Sequence, residues 1–312
     1  MKEYVLNYYP KFKCIAEKCK HTCCAGWEMC IDQKTLEKYK AHSSPFASAL
    51  KTGINYKKAK FKMDKLGRCV FLNDKGLCEI ILNIGEQNLC QVCKDHPRFR
   101  SFFDDRVEMG LGFSCEQATR VILSFTDKIC PTLTCDDQTK TSLDFNQKNI
   151  LEFREKALDI IQDRTTCINQ RVNRLLSLCK TDTTHIDNKK IIKAFISTER
   201  LDKTWAKRLK ALKKKPFELN INDTHSLQAE QFLANSIYRH VSDAEDTLSV
   251  RARTIFCVLS WWIIQNVIAN EQPTTNEFEL IVDVIRAYSA EIEYSEKNLE
   301  KLFNFAYKLI NL

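Results

Sequence analysis

Ten of the fifteen cysteines in this 312-residue chain crowd between Cys14 and Cys115, and that distribution constrains the fold more than any other feature. The ten are Cys14, Cys19, Cys23, Cys24, Cys30, Cys69, Cys78, Cys90, Cys93 and Cys115. Cys130, Cys135, Cys167, Cys179 and Cys257 are scattered over the remainder. An odd total forbids complete pairing within the chain. Crowding at one end reads as a local site, not as a disulfide framework spread over the fold. Disulfides are also unnecessary, because a chain of this length with 44% hydrophobic residues can bury a substantial core. The opening run MKEYVLNYYPKFKC has no apolar stretch and no small-residue cleavage site, so no secretory signal is expected. The chain reads as cytoplasmic, where thiols stay reduced and clustered thiols bind metal or act in redox chemistry.

The most apolar run, Thr254 to Ala269, is 16 residues long and carries Gln265 and Asn266. A membrane span needs about 20 apolar residues, so this run is expected to be a buried core helix, with no membrane partner. The net charge of +8 permits an acidic partner without demanding nucleic acid. Basic residues gather at Lys51, Lys57, Lys58, Lys60, Lys62, Lys65 and Arg68, and again at Lys203, Lys207, Arg208, Lys210 and Lys213 to Lys215. They read as solvated faces, with docking of an acidic macromolecule as the functional alternative. No aromatic interleaving or nucleic-acid motif accompanies them.

The pattern along the chain predicts a mainly α fold in two parts. Residues 1–130 form a cysteine-rich, loop-rich domain dense in turn signals: Gly67, Asn73–Gly76, Gly85 and Asp95–Pro97. Within it, Cys69–Leu72 and Leu77–Ile80 flank an Asn-Asp-Lys-Gly turn and predict either a short hairpin or a ligand-held loop. Ser114 is the expected N-cap of a helix through Leu123. Residues 130–145 read as a connector. From 146 to 312, apolar residues recur at helical spacing, with helices predicted near 188–197, 202–213, 226–241, 246–269, 275–290 and 294–311. This second part is expected to be an all-α domain.

The chemistry sits in the cysteines. Cys14-x4-Cys19-x3-Cys23-Cys24 brings four thiols close in sequence, and four sulfurs suit zinc or an iron–sulfur cluster. Adjacent Cys23 and Cys24 rarely ligate one ion because their side chains diverge, which favours a multi-iron cluster or two centres. Cys69, Cys78, Cys93 and Cys115 supply four further candidates; Cys90-x2-Cys93 has zinc-knuckle spacing but no matching second pair. His21, His42 and His96 read as surface or supporting residues. A radical S-adenosylmethionine site needs Cys-x3-Cys-x2-Cys, and position 26 is Gly26. Dinucleotide, P-loop, zinc-protease and hydrolase motifs are all lacking.

Phe12-x-Cys14-x4-Cys19-x3-Cys23-Cys24-x-Gly26-Trp27, followed by Ile31-Asp32 and Tyr39, resembles the opening of the flagellin lysine-N-methylase (FliB-type) family. The resemblance continues in order through Gly67-x-Cys69-x-Phe71-Leu72, Leu77-Cys78, Gly85-Glu86, Cys93 with Pro97-Arg98, and Ser114-Cys115-x-x-Ala118. It covers residues 4–125; the helical remainder carries little motif. The cysteine part is also similar to a broader group of zinc- or iron-chelating domains, which supplies the alternative of a non-enzymatic module in metal handling or protein interaction.

The resemblance implies methyl transfer from S-adenosylmethionine to surface lysine ε-amines of flagellin. It also implies a [4Fe–4S] cluster, or zinc as the alternative, held by cysteines of the set Cys14, Cys19, Cys23, Cys24, Cys69, Cys78, Cys93 and Cys115, with the four that share one cluster left open by the spacing. Cys30 and Cys90 fall outside the family pattern. Such methylation needs no redox step, so the cluster is expected to be structural. Asp32 and Glu86 are candidate acid–base residues, while Arg98 and Trp27 are candidates for the methyl donor's carboxylate and sulfonium. The bland readings are Asp32 as the N-cap of a helix through Leu36 and Tyr39, Trp27 as packing and Arg98 as an ion pair.

Overall fold

The computed structural model describes residues 1–137, 141–201, 203–271 and 276–310. It is mainly helical, with six strands among the described residues: β1 Lys2–Leu6, β2 Ile54–Asn55, β3 Lys60–Phe61, β4 Arg98–Phe102, β5 Arg106–Leu111 and β6 Pro131–Asp136. The helices are α1 Gln33–Lys40, α2 Ala47–Gly53, α3 Glu79–Ile84, α4 Gln91–Asp95, α5 Glu116–Leu123, α6 Phe145–Ile161, α7 Ile168–Leu178, α8 Asn188–Ile196, α9 Lys203–Leu212, α10 Ser226–Val241, α11 Thr247–Asn270, α12 Glu277–Ile292 and α13 Glu296–Tyr307. The chain divides into two compact units. One comprises Lys13–Arg98 with Cys115–Gln117; the other comprises Met1–Phe12, Phe99–Ser114 and everything from Ala118 onward.

The second unit holds the four-stranded sheet, in the order β4-β5-β1-β6, with β5 parallel and β6 antiparallel to β1. This sheet corrects two readings of the sequence. The segment taken as a connector contains β6, an edge strand exposed over most of its length with Pro131 at its first position. Such a strand needs no apolar alternation, and its first residue tolerates proline. Ser114 is also not a helix cap: its buried hydroxyl makes no hydrogen bond, and α5 begins at Glu116.

From α6 onward the described elements are helical, as the periodicity predicts. The expected starts at residues 202 and 275, and the expected end at 311, lie outside the described residues. Helix α11 is the axis of this part: it packs against α6, α7, α9, α10, α12 and α13. Its 24 residues are long and apolar enough to cross a membrane by length and composition, yet 83% of its most apolar window is buried inside the protein. Trp261, Trp262, Trp205, Tyr288 and Phe232 fill the surrounding core. Asp246 caps α11 with Ser249 in a reciprocal capping box.

Several polar and charged groups inside this unit are paired. Tyr8, fully buried, donates to the Asn235 side chain and accepts from the Leu111 N–H at 3.1 Å. Arg154 meets Glu108 at 2.7 Å. Glu230 takes both Arg171 at 2.6 Å and Arg164 at 2.7 Å. Glu293 takes Arg239 at 3.1 Å and His240 at 3.0 Å, and accepts from the Ser289 hydroxyl. The basic residue Arg208 is similarly tied inward, to Glu271 at 2.6 Å and Asp283 at 2.7 Å, whereas its neighbouring lysines from Lys203 to Lys215 are exposed.

Candidate metal centre

The cysteine-bearing unit has its own core. Met29, Ile31, Leu36, Tyr39, Leu50, Ile54, Phe61, Phe71, Ile80 and Leu89 pack together with Cys69 and Cys90. Phe71 stands edge-on to Phe61 at 5.3 Å between ring centres and lies 5.8 Å from Phe46. Tyr39 donates to the Asn88 carbonyl at 2.6 Å, fastening α1 to the turn before α4.

Turns carry the thiols to this core. The Asp64 carboxylate accepts from the Leu66 and Arg68 N–H groups, both at 2.8 Å, closing a loop that passes through Gly67 at φ +73°. The returning chain pairs with the first cysteine run: the Gly26 N–H donates to Gly67 O at 3.0 Å, and the Cys69 N–H donates to Cys24 O at 2.7 Å. The Asn73 side chain then accepts from the Lys75 and Leu77 N–H groups, turning the chain so that Leu72 bridges Cys78. The predicted hairpin is therefore limited to this single bridge. Its second arm gives way to α3 at Glu79, whose N–H donates to Phe71 O at 2.7 Å. Cys90 precedes α4 and Cys93 follows within its first turn, with the Cys93 N–H donating to Cys90 O at 3.1 Å.

Cys14, Cys19 and Cys23 lie on the loop before this ladder. Glu116, almost fully buried, accepts from the Lys20 and His21 N–H groups at 3.2 Å each, so the loop is fastened beside Cys115. No sequence signal marked Glu116 for this part; it is one acidic residue after a cysteine. Cys90, set aside on the family pattern, is fully buried and hydrogen-bonded to Cys93. Its two-residue spacing from Cys93 was the available signal. Cys30 is exposed and bridges Lys60 through the backbone.

The thiols are unequal. The Cys23 thiol donates to Cys24 and is held protonated; that bond carries Cys24 down to about 7. The pair Cys93 and Cys90 repeats the arrangement, with Cys90 lowered by the Cys93 hydrogen bond. Burial pushes Cys69 up to about 12 and Cys19 up to about 11. Among the described residues, no three His, Cys, Asp or Glu side chains are gathered closely enough to hold a metal ion as they stand. The donor chemistry still suits a soft metal: hydrogen-bonded free thiols at Cys23–Cys24 and Cys90–Cys93, with Cys69 in the core that Cys24, Cys78 and Cys93 pack against. Bound there, zinc or an iron–sulfur cluster would link loops that no strand of more than two residues ties within this unit.

Asp32, Trp27 and Arg98 have structural partners. Asp32 caps α1: its carboxylate accepts from Thr35 N and Gln91 N, both at 2.9 Å. Burial raises its pKa, but these N–H groups outweigh burial and hold it below the ordinary carboxylate range. Asp32→Ala is expected to lose about 1 kcal/mol of stability, read as a lower urea midpoint. An unchanged midpoint would contradict the capping role. The Trp27 indole donates to Cys23 O at 2.8 Å and tilts against His96 at 6.4 Å. Arg98 donates to Lys94 O at 2.9 Å, and Glu86 opens an exposed turn after Gly85.

Among the described residues, the clefts of the helical unit include two of moderate size. The larger, about 530 Å³, is lined by Asn220, His225, Gln265, Asn266 and Glu277, among others. Its amides serve the chain itself: Asn266 binds both backbone groups of Glu218, and Gln265 donates to Glu218 O and Asn220 O. The smaller, about 410 Å³, lies between α6 and the start of α11.

Comparison with curated proteins supplies the deciding observation. Over 172 residues the chain is 23% identical to lysine-N-methylases of Salmonella typhimurium and of Salmonella choleraesuis. The chain is similar to lysine-N-methylases over half its length. The match spans 51% of this chain but only 42% of each of those methylases. A third relative, the flagellar biosynthetic protein FliU of Salmonella muenchen, is 25% identical over 139 residues, 41% of this chain and 82% of FliU. No family model matches the chain, and no solved structure matches it.

Proposed function

We propose that this protein is a cytoplasmic lysine N-methyltransferase that carries methyl groups from S-adenosylmethionine to lysine ε-amines of flagellin. The observation that carries the reading is the match to two lysine-N-methylases, with the flagellar name of the third relative pointing to the substrate. A [4Fe–4S] cluster in a structural part is held by four of the set Cys14, Cys19, Cys23, Cys24, Cys69, Cys78, Cys93 and Cys115.

S-adenosylmethionine supplies the electrophilic methyl, so the chain's own work is on the amine. A lysine amine has a free pKa near about 10.4 and attacks only when neutral. The protein must strip water from it, accept its proton, and align nitrogen, methyl and sulfur. The exposed lysines between Lys203 and Lys215 offer a docking face for an acidic substrate surface.

The test is incubation of the anaerobically purified, metal-loaded protein with unmethylated flagellin and methyl-labelled S-adenosylmethionine, read by mass spectrometry of flagellin lysines. Label on lysine is expected. Its absence with metal bound overturns the reading and leaves the metal-handling module.

A further inference from the structure

The cleft between α6 and the start of α11 is lined by polar side chains that the fold itself leaves unused. On α6, Asn146, Asn149, Phe153 and Lys156 recur at intervals of three and four residues and so share one face. Thr247, Val250 and Arg251 line it from the first turns of α11, and Leu178 from the end of α7. Arg251 is the informative residue. Elsewhere in the helical unit arginines are paired: Arg154 with Glu108, Arg171 with Glu230, Arg208 with Glu271 and Arg239 with Glu293. Arg251 is half-buried and its Nε is enclosed without a hydrogen-bond partner. No ion pair reaches its guanidinium among the described residues. The side-chain amides of Asn146 and Asn149 and the carboxylate of Glu152 are likewise without a protein partner among the described residues. In the larger cleft, by contrast, the amides of Gln265 and Asn266 are taken up by the chain.

We propose that this cleft binds the methyl donor S-adenosylmethionine, with Arg251 receiving its carboxylate. A guanidinium that has lost water at Nε without gaining an acceptor is completed best by a planar anion that takes two N–H bonds at once, which a carboxylate does. The unpaired Glu152 in the same cleft matches a cation, so the two together suit a ligand whose one end carries both charges, as an α-amino acid does. The Phe153 ring, with Ile150, Val250 and Leu178, gives an apolar wall on which a flat base can stack. The two asparagine amides offer both donors and acceptors to the edge of such a base. A volume of about 410 Å³ falls in the range of small-molecule sites, about 300–1,000 Å³. The ligand's name rests on the methyl-transfer reading. The site moves the carboxylate partner away from Arg98, which donates to Lys94 O at 2.9 Å.

The test is equilibrium dialysis of labelled S-adenosylmethionine, and of its decarboxylated analogue, against the anaerobically purified full-length chain and its Arg251→Ala variant. The variant should bind S-adenosylmethionine about tenfold to a hundredfold more weakly, the range of a hydrogen bond to a charged group. The wild-type chain should lose as much toward the decarboxylated analogue, and the variant should lose nothing further. A variant that weakens both ligands equally overturns the pairing of Arg251 with the carboxylate. Where Arg251→Ala fails to fold, the wild-type chain decides: an azido-adenine analogue of the donor, photocrosslinked and mapped by peptide mass spectrometry, should label peptides that carry Phe153 or Arg251. Label confined to other segments, or no donor binding at all, overturns the site. Unchanged affinity in Arg251→Ala with flagellin still methylated overturns the site and leaves methyl transfer standing. Donor binding through Arg251 with no methylation of flagellin keeps the site and removes the substrate reading.

Discussion

Glu293→Ala should lose about 3–5 kcal/mol of folding stability, among the largest effects of any single change here. The carboxylate is fully enclosed, with Arg239 at 3.1 Å, His240 at 3.0 Å and the Ser289 hydroxyl as partners. Removing it leaves a guanidinium buried without its counter-charge, and that uncompensated charge, more than the lost attraction, sets the size of the effect. Glu277→Ala is the control. Glu277 is 61% exposed, its partner is His225, and exposed pairs contribute about 0–1 kcal/mol. Urea midpoints should separate the two variants clearly; equal midpoints would contradict the enclosed network.

The same network sets an acid limit. Burial alone would raise the pKa of Glu293, but Arg239 and His240 prevail and lower it to about 2. A carboxyl whose folded pKa lies below its unfolded value gives its full stability above the unfolded value, near about 4.3. That stability drains away as pH falls toward about 2. His240 is lowered chiefly by burial, so the unfolded chain takes up its proton first. Stability therefore begins to fall as pH drops below about 6.5, the unfolded histidine value. Unfolding midpoints should decline in two stages from neutral pH downward, and the lower stage should vanish in Glu293→Ala.

The second large effect is expected at Phe71→Ala, again about 3–5 kcal/mol, but confined to the cysteine-bearing unit. Phe71 is 4% exposed and holds Phe61 and Phe46 around it, on the core against which Cys24, Cys78 and Cys93 pack. Emptying that position should let thiol reagents reach Cys69 and Cys90, both buried, far faster than in the wild-type chain. The buried tryptophans Trp205, Trp261 and Trp262 lie in the other unit, so any change in tryptophan fluorescence should come from Trp27 alone. Unchanged thiol reactivity would show that the cysteines do not depend on this core.

What the sequence revealed follows physical strength of signal. The run Thr254–Ala269 announced a buried helix because every face of α11 is covered. Asp32 was readable as a cap because its short side chain sits three residues before the N–H that it accepts. Strand β6 was hidden, since an exposed edge strand has no buried face to enforce alternation. Ser114 carried a capping residue type at a place where the backbone had no use for it. The eight cysteines were legible as a set. Which of them pack on one core was not, because it depends on which loops the core draws in, and no local spacing encodes that. Glu116 was illegible for the same reason: its partners, Lys20 and His21, lie almost a hundred positions away.

That contact makes the order of synthesis matter. The cysteine-bearing unit is interrupted by Phe99–Ser114 and closed only by Cys115–Gln117. At about 5–20 residues per second of elongation, Cys14, Cys19 and Cys23 spend several seconds outside the ribosome before Cys115 emerges. During that interval the nascent chain carries reactive thiols with Cys115, the last of the eight, still unmade. A fragment ending at Arg98 would keep the chain in that unfinished state permanently.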